Sequence, residues 1–306
     1  MKCVFGIDGG GTSSRLRVES VEGVEMYYAE GGSTNPNSND RTAVEATFAD
    51  LFSRAQTEAG IGIGDFVAGF AGSAGVDRKD DVVSFAAIIR KATGYAGPLG
   101  IGNDAEPALA GALDDTEGLL LIAGTGSIAF GRARDGSTVR AGGLGHLLGD
   151  EGSAWRIAFD AICRSLRSAE GRDLHTELLG AAIQHFGLAS SDAFIPFVYG
   201  SLDKKRIARF ARVVGEYRNR GDLLAIDLFD KAAGELALLA ASVHDRIAAR
   251  LEKKRLAFRG GLIESDESLR RDTESRIRAR ISGIEIVPSV ADAARGACIL
   301  ARALAT

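Results

Sequence analysis

The sequence predicts an α/β fold built from two duplicated domains. Segments with a strand pattern alternate with segments of helical periodicity, which is typical of sheets covered by helices. A turn rich in glycine and hydroxyl residues follows an apolar strand twice, as DGGGTSS at 8–14 and as GTGS at 124–127. Gly9 and Gly124 are 115 residues apart. Repetition on that scale indicates a duplicated domain rather than a short-period solenoid.

The first half begins with strands and continues with alternating helices and strands. Its predicted elements are strands at 3–7, 15–19 and 24–29, a helix at 42–59, a strand within 65–75, a helix at 80–93, a short strand ending near Asn103 and a helix from about Glu106. The polar loop GGSTNPNSND at 31–40 separates the third strand from the first helix. The pattern therefore predicts a mixed sheet with helices packed on it.

The second half repeats this order but contains a long helical segment. Its predicted elements are strands at 119–123, 128–132 and 138–140, helices at 153–167, 176–186, 204–217 and 223–251, strands within 253–265 and at 284–288, and a helix at 290–304. We place the domain boundary near Asp114 and Asp115. Because the final helix can pack back on the first domain, we expect one domain at 1–114 plus about 289–306 and another at 115–288.

The glycine turn at 8–14 does not match two familiar nucleotide motifs. The dinucleotide fingerprint and the P-loop both lead into a helix, whereas RLRVE at 15–19 alternates polar and apolar residues like a half-buried strand. Consecutive glycines and hydroxyl residues leave backbone N–H groups open, as in anion-binding loops. A plain hairpin turn explains this loop equally well on its own, but two matched turns favour a polyphosphate bound from both sides.

Composition and charge exclude several classes of function. The chain has 306 residues, 45% of them hydrophobic, and a net charge of −4, so it lacks the basic footprint of a nucleic-acid-binding protein. No basic segment followed by an apolar stretch opens the chain, and no apolar run approaches the ~18 residues of a membrane-spanning helix. We expect a cytoplasmic enzyme without a membrane partner. Cys3, Cys163 and Cys298 lack metal-ligand spacing and are interpreted as buried apolar residues.

Three motifs together resemble those of a known superfamily. GIDGGGT at 6–12, GTGS at 124–127 and RGGLIES at 259–265 resemble the phosphate-1, phosphate-2 and adenosine motifs of the actin, Hsp70 and sugar-kinase superfamily. Within it, STNPN at 33–37, NDAEPALAGA at 103–112 and the long block GGLGHLLGDEGSAWRIA at 142–158 resemble the N-acetylglucosamine kinase group and its glucosamine kinase relatives. The resemblance spans essentially the whole chain.

The resemblance implies a fold, a reaction and cofactors. It implies two actin-like, ribonuclease H-like domains that flank an ATP cleft, with ATP and Mg²⁺ as cofactors and a possible homodimer. It implies phosphorylation of an amino sugar, for which we favour N-acetyl-D-glucosamine at the 6-hydroxyl, with glucosamine and N-acetylmuramic acid as alternatives. Leu144 stands where several relatives have Trp, which leaves recognition of the acetyl group open.

The nucleotide-binding residues follow from the same motifs. The residues expected to contact ATP are Gly9, Gly10, Gly11, Thr12, Gly124, Thr125, Gly126, Ser127, Gly260 and Gly261. Asp8 ends the first strand, where a carboxylate often forms only an Asx-turn. Beside phosphate it would repel the ligand unless a cation intervened, and Mg²⁺ is the natural mediator. By resemblance, Asp8 is the metal-facing acid.

Asp104 is the predicted general base. It lies at the carboxyl end of a strand, where open α/β sheets bind ligands, although a helix N-cap is an equally good interpretation of its position. Phosphoryl transfer to an alcohol requires a carboxylate that accepts the hydroxyl proton. The family's catalytic aspartate occupies a matching sequence context, and the resemblance therefore assigns this role to Asp104.

The sugar-binding residues are also implied by the resemblance. They are Asn35, Ser73, Asp104, Gly145, His146, Asp150 and Glu151. For Asn35 the alternative is a turn residue, for Ser73 it is close packing, and for Asp150 and Glu151 it is capping of the helix near Ser153.

Two further segments have open interpretations. Gly221 and Asp222 cap the next helix or line the base pocket. The basic run at 204–212 is predicted to be a solvated helix face with Ile207 and Phe210 turned inward.

Three rival functions are weaker. ATPases that activate dehydratases or reductases carry a [4Fe–4S] cluster, which requires clustered cysteines, and the three cysteines here are far apart in sequence. Sugar-sensing regulators add a DNA-binding domain, whereas this chain begins directly with the phosphate strand. A non-catalytic sugar binder would not need both phosphate turns and Asp104. The sequence therefore predicts an amino-sugar kinase.

Overall fold

The computed structural model describes residues 2–76, 78–200 and 203–305, in which two five-stranded sheets are covered by helices. The first sheet has the order β3-β2-β1-β4-β5. Its strands are β1 (Cys3–Gly9), β2 (Ser14–Ser20), β3 (Glu25–Gly31), β4 (Phe66–Ser73) and β5 (Leu99–Gly102). The strand β2 is antiparallel to both of its neighbours, β1 and β3, whereas β4 and β5 run parallel to β1.

The second sheet repeats this topology. It has the order β10-β9-β6-β7-β8, with β6 antiparallel to β7 and parallel to β9. Its strands are β6 (Gly118–Ala123), β7 (Ser127–Arg132), β8 (Thr138–Gly142), β9 (Arg255–Arg259) and β10 (Glu285–Val287). Because β6 takes the place of β1 and each later strand that of its counterpart, the predicted α/β fold with duplicated domains is confirmed.

The helices cover the sheets and form most of the second half. They are α1 (Arg41–Ala59), α2 (Lys79–Thr93), α3 (Ala105–Leu113), α4 (Ala154–Ala169), α5 (Leu178–Phe186), α6 (Phe194–Gly200), α7 (Lys204–Ala208), α8 (Phe210–Asn219), α9 (Leu223–Ile247), α10 (Gly261–Ser265), α11 (Glu267–Arg280) and α12 (Ala293–Ala305). Within the described ranges, these helices are too short or too polar to cross a bilayer.

Three features of the helical region differ from the sequence expectation. The helix predicted at 204–217 is two helices, α7 and α8, which meet at Arg209. The helix α6 was not predicted, because its seven residues include a proline and three aromatic residues of modest helix propensity. The helix α11 was missed because its buried stripe consists of only Leu269, Thr273 and Ile277.

The cysteine expectation requires one correction. Cys3 and Cys298 are buried, as predicted, but Cys163 is exposed. Cys163 lies on α4, whose buried residues include Ala158, Ala161 and Ile162. The helix therefore turns Cys163 away from the core that its neighbours enter.

One face of the first sheet carries an aromatic cluster. Phe5 on β1 makes edge-to-face contacts with Phe52 on α1 and Phe66 on β4, at ring-centroid distances of 5.0 and 5.1 Å. Tyr95, which precedes β5, contacts the same ring at 5.1 Å. Each such pair adds about 0.5–1.5 kcal/mol beyond area burial. The cluster thus fixes α1 against the strands that end at the candidate site.

The opposite face of the first sheet is covered by the last helix. An apolar cluster joins sheet and helix through Val4, Ala68, Phe70, Ala297, Cys298 and Leu300. A second cluster joins α3 to the second sheet through Leu109, Leu113, Leu120, Phe130 and Ala257. The first cluster groups α12 with the first sheet, whereas the second crosses the boundary expected near Asp114 and Asp115. The division into 1–114 plus about 289–306 and 115–288 stays a prediction, and its outermost residues 1 and 306 lie outside the described ranges.

The helices α3 and α12 cross at two glycines. A Cβ atom on Gly296 would lie 1.9 Å from the carbonyl oxygen of Pro107, and one on Gly111 would lie 2.0 Å from that of Asp292. Either side chain would force the helices apart. The two backbones therefore touch directly where α3 and α12 pass between the sheets.

Candidate active site

The first glycine turn joins β1 to β2 and contacts the loop before α1. Gly9 faces Ser14 across the hairpin, and a Cβ on Gly9 would lie 2.5 Å from Thr34 Oγ1 and 3.0 Å from Ser73 Oγ. Ser33 Oγ donates a hydrogen bond to the Gly10 carbonyl oxygen at 3.0 Å. The hairpin, the STNPN loop and the end of β4 are therefore one contiguous surface.

The outer part of this turn is open to solvent. Gly11 and Thr12 are exposed, and a Cβ on Gly11 would meet open space among the described residues. Packing within the protein thus accounts for glycine at position 9 but not at position 11. A ligand that approaches the backbone closely would account for Gly11.

Asp8 lies at the end of β1, in register with Gly72 of β4, which is in turn in register with Gly102 of β5. Asp8 Oδ2 accepts a hydrogen bond from Arg15 Nη1 at 3.0 Å. Burial raises the pKa of the Asp8 carboxyl above its ordinary value, Arg15 opposes the rise, and the nearby Asp292 adds to it. The carboxyl ends of three neighbouring strands therefore converge on this acid.

The acids near the first turn could contribute to a magnesium site. No cluster of three or more His, Cys, Asp or Glu side chains able to hold a metal occurs in the described part of the chain. In phosphate-transferring sites, Mg²⁺ is commonly bound by one or two carboxylates together with the phosphates of the nucleotide. Asp8, with Asp292 nearby, fits that smaller requirement.

The second glycine turn joins β6 to β7 and contacts the late glycine pair. Gly260 has a φ of +105°, and a Cβ there would lie 2.5 Å from the carbonyl oxygen of Ala123. A Cβ on Gly124 would lie 3.5 Å from the Gly261 amide nitrogen. The structure therefore brings together the GTGS turn and the RGGLIES segment, which are separated by more than 130 residues in sequence.

These glycines open onto a cleft of about 860 Å³, large enough for a nucleotide. The cleft is lined by Gly124, Thr125 and Gly261 on one side and by α7, α8 and the end of α5 on the other. The basic run at 204–212 contributes Lys205, Arg209 and Arg212 to the lining. Ile207 and Phe210 are buried, as predicted. Those three basic residues of the run, which we expected only to face solvent, also line the cleft.

Asp150 lies against the second turn. It is buried and adopts a left-handed φ of +62°, which is uncommon for a residue other than glycine. Its Oδ1 accepts a hydrogen bond from the Ser127 amide at 3.1 Å, and its Oδ2 accepts one from Lys204 Nζ at 2.7 Å. Ser127 Oγ donates to the Glu151 carbonyl oxygen at 2.7 Å. The DEGS segment thus wraps around the GTGS turn.

The capping alternative for the two acids does not hold. Ser153 is the N-cap of α4, and its Oγ accepts a hydrogen bond from the Arg156 amide at 3.2 Å. Glu151 is half-buried and lines a separate cavity of about 150 Å³ between α4 and α9. Glu151 and Asp150 are therefore neighbours in sequence that face different surroundings.

The loop before Asp150 presents one packed ring and three exposed leucines. His146 packs edge-on against Trp155 with ring centroids 5.1 Å apart, and Gly145 has a φ of +81°. Leu144, Leu147 and Leu148 are exposed. The histidine is thereby fixed by the first turn of α4, whereas the leucines face outward.

Asp104 stands immediately before α3 and is half-buried. The side chain that caps this helix is that of Asn103, whose Oδ1 accepts a hydrogen bond from the Ala105 amide at 2.9 Å. Asp104 occupies the N-cap position of α3, but the hydrogen bond from the first turn of the helix is accepted by the side chain of its neighbour. Asp104 follows Gly102, the last residue of β5, by two residues, so it lies at the same edge of the first sheet as Asp8, which is near the end of β1.

Asn35 lies in a turn that contacts the loop after β4. Its Oδ1 accepts a hydrogen bond from the Asn37 amide at 2.8 Å, and a Cβ on Gly75 would lie 3.0 Å from the same oxygen. Asn35 therefore forms a turn in this structure, and its role in sugar binding stays a prediction. The turn also places Asn35 beside the buried Ser73 segment, at the edge of the first glycine turn.

Sequence reasoning missed several residues of this site. Ser33 and Thr34 contact the first turn, Arg15 pairs with Asp8, and Lys204 pairs with Asp150. The i, i+7 spacing of Asp8 and Arg15 on a hairpin could have revealed one pair. Asp222, by contrast, caps α9 by accepting from the Ala225 amide at 2.9 Å, which confirms the simpler of its two interpretations.

Comparisons with known proteins agree with this geometry. The chain matches the BadF/BadG/BcrA/BcrD ATPase family over residues 5–301. It is 33% identical over 303 residues to the N-acetylmuramic acid/N-acetylglucosamine kinase of Clostridium acetobutylicum, with 99% of both chains covered. It is 28% identical over 259 residues to the glucosamine kinase of Vibrio cholerae, with 82% of this chain and 83% of that one covered.

A solved structure shows the same architecture. A protein from Chromobacterium violaceum, provisionally assigned as an N-acetylglucosamine kinase, superposes with a TM-score of 0.72 at 26% identity. The superposition covers 98% of this chain and 99% of that one. The match therefore extends over nearly the whole length of both chains.

Proposed function

This chain belongs to the BadF/BadG/BcrA/BcrD ATPase family, and on that premise we propose that it transfers a phosphoryl group from ATP to a hydroxyl of an amino sugar. The names of its relatives support this activity. The observation that carries the proposal is the register of Asp8, Gly72 and Gly102 across three strands, with Asp104 two residues beyond. The predicted base Asp104 and the first glycine turn therefore lie at the same edge of the first sheet.

In this proposal the two glycine turns bind the phosphates of ATP. The backbone N–H groups of Gly11, Thr12, Thr125 and Gly126 suit phosphate oxygens, and the cleft beside Gly261 takes the nucleoside. The Gly10 and Gly124 amides shape the turns instead, because they donate to the carbonyl oxygens of Ser13 and Gly126 at 3.0 and 2.9 Å. Mg²⁺, when bound, neutralises charge on the phosphates, and Asp8 with Asp292 would hold it. The cationic Lys205, Arg209 and Arg212 give the cleft a charge complementary to ATP.

Asp104 is the general base of the proposed reaction. Phosphoryl transfer depends mainly on positioning and on neutralising charge, and a carboxylate accepts the proton of the attacking hydroxyl. The Asp104 carboxylate takes this proton while the sugar oxygen attacks the γ-phosphorus and ADP leaves. Because Asn103 caps α3, Asp104 is not required for that structural role.

The finer assignments belong to the same proposal. We favour N-acetyl-D-glucosamine as the sugar and its 6-hydroxyl as the acceptor, with Asn35, Ser73, His146 and Asp150 around the sugar. A homodimer and a cytoplasmic location complete the proposal. Closure of the two domains about α3 and α12 would exclude water from the reacting groups.

An ADP-release assay with Mg-ATP tests the function. The acceptors are glucosamine, N-acetylglucosamine, N-acetylmannosamine, N-acetylmuramic acid and glucose, each measured against a sugar-free control. We expect an amino sugar to stimulate ADP release well above glucose. Equal rates with and without every sugar would refute the kinase assignment, and mass spectrometry of the product would give the phosphorylated position.

A further inference from the structure

The basic segment before α8 begins with a lysine that reaches the second glycine turn. Lys204 Nζ lies 2.7 Å from Asp150 Oδ2, and only 4% of the Asp150 side chain is exposed. A carboxylate removed from water to this degree requires a nearby positive charge or several donors. Lys204 supplies the charge across 54 residues of sequence.

The other carboxylate oxygen of Asp150 lies on the turn itself. The Ser127 amide donates to Asp150 Oδ1 at 3.1 Å, and a Cβ on Gly126 would lie 2.6 Å from that oxygen. A protein anion therefore lies directly against the turn that we propose for phosphate. Like charges a few ångströms apart repel each other, so an unneutralised Asp150 would oppose the binding of ATP phosphate at this turn.

We propose that Lys204 is a positioning residue of this kinase, which holds the Asp150 carboxylate against the Ser127 amide and neutralises it so that the GTGS turn can accept phosphate. The inference rests on the proposed function, because it assumes that the turn binds a nucleotide. It assigns Lys204 a task distinct from that of Lys205, Arg209 and Arg212, which line the cleft. Lys204 acts through Asp150.

The chain offers a matched control. Lys91 Nζ lies 2.7 Å from Glu45 Oε2, the same distance as in the Lys204–Asp150 pair. The Lys91 side chain is 67% exposed, however, and it lies on α2, among the helices that cover the first sheet. Exposed pairs of this kind contribute little. Lys91→Met therefore reproduces the loss of one lysine and one ion pair without a change at the glycine turn.

The first measurement is binding of Mg-AMPPNP by isothermal titration calorimetry, which needs no turnover. We expect Lys204→Met to weaken binding by about tenfold or more, because the buried Asp150 charge is no longer neutralised. Lys204→Arg retains the charge and is expected to bind within about threefold of the unmodified protein. Asp150→Asn combined with Lys204→Met removes both charges and should recover most of the lost affinity. Lys91→Met should bind normally.

The second measurement is amide hydrogen exchange at Ser127. Because this amide donates to Asp150, its exchange rate should rise in Lys204→Met and stay unchanged in Lys91→Met. The double variant should exchange like Asp150→Asn alone, because Asn still offers an acceptor oxygen that needs no counter-charge. Circular dichroism verifies that each variant is folded. If Lys204→Met does not fold, Lys204→Arg is measured in its place.

The possible outcomes separate this inference from the proposed function. The role of Lys204 would be overturned if Lys204→Met left both the AMPPNP affinity and the exchange rate of the Ser127 amide unchanged. It would also be overturned if the effects of Lys204→Met and Asp150→Asn on affinity were strictly additive. A parent protein that binds AMPPNP but phosphorylates no sugar would refute the kinase assignment and leave the effect of Lys204 on the turn measurable. A parent protein that binds no nucleotide would overturn both.

Discussion

Glu106 on α3 and Arg132 on β7 form an ion pair between the two halves of the molecule. Arg132 Nε lies 3.6 Å from Glu106 Oε2, and each side chain is 17% exposed. Arg132 Nη1 also donates to the Thr116 carbonyl oxygen at 2.7 Å. The pair therefore ties the helix that follows Asp104 to the strand that follows the second glycine turn.

Glu106→Gln should change the pH dependence of stability. Burial raises the pKa of Glu106 above its ordinary value, and Arg132 only partly opposes the rise. The folded state therefore binds this proton more tightly than the unfolded state, so its contribution to stability falls as pH rises above about 4.3 toward the raised pKa. Because Gln does not titrate, the Tm of the variant minus the Tm of the parent should be larger at pH 7 than at pH 4.

Thermal unfolding followed by circular dichroism, at pH 4 and at pH 7, measures the Tm difference between the variant and the parent. A flat difference for Glu106→Gln would contradict the effect of burial on this carboxyl.

Asp104→Asn should abolish turnover while nucleotide binding persists. Removal of a general base typically costs 10²–10⁴-fold in rate, and Asn103 retains the cap of α3. Sugar-dependent ADP release and AMPPNP affinity should be measured on the same preparation. Retained turnover would remove Asp104 as the base, and lost nucleotide affinity would indicate a structural role instead.

Gly11→Ala tests whether glycine at this position is required for ligand binding rather than for folding. The added methyl group meets open space among the described residues, so the Tm should stay within about 2 °C of the parent. A lost close contact with a charged phosphate costs about 1.5 kcal/mol or more, so KM for ATP should rise by about tenfold. Gly64→Ala, at another exposed and open position, should change neither quantity. A normal KM in Gly11→Ala would argue for a plain turn.

Gly296→Ala should destabilise the contact between α3 and α12. Its Cβ would lie 1.9 Å from the Pro107 carbonyl oxygen, and overpacking of this kind costs about 1–3 kcal/mol. Gly180→Ala in α5 has open space around the added atom and should stabilise the protein by up to about 1 kcal/mol through helix propensity. Urea unfolding measures both, and equal stabilities would disprove the close crossing.

Asp8→Asn should shift the Mg²⁺ dependence of ADP release. A carboxylate near a phosphate-bound cation contributes to its affinity, so the Mg²⁺ concentration for half-maximal rate should rise by about tenfold. Asp50→Asn, at an exposed position on α1, controls for the loss of an acid. An unchanged Mg²⁺ titration would favour a purely structural pairing of Asp8 with Arg15.

The fold was predictable because its signals are local. Two apolar strands that end in glycine-rich turns, followed by period-two segments, identified β1, β2, β6 and β7, and the structure confirms the duplication that they imply. The resemblance to the N-acetylglucosamine kinase group is also confirmed. The helices α6 and α11 were missed because aromatic content and a narrow buried stripe weaken the helical pattern.

The candidate site was only partly predictable because its contacts are long-range. Asp150 and Lys204 are separated by α4, α5 and α6, and nothing in the local sequence around either residue indicates that they meet. The side chain that caps α3 was likewise ambiguous, since Asn103 and Asp104 are adjacent and both residue types can cap a helix. Their assignment depends on backbone direction, which only three-dimensional geometry resolves.

The return of α12 to the first sheet has a consequence for the order of events during synthesis. One face of β1 and β4 is covered by a helix that follows the entire second sheet in sequence. The second sheet and its helices can therefore assemble on the ribosome while that face is still bare, although domains usually mature from the N-terminus. The strands β1 and β4 precede the second sheet in sequence, but both of their faces are enclosed only after α12 has been made.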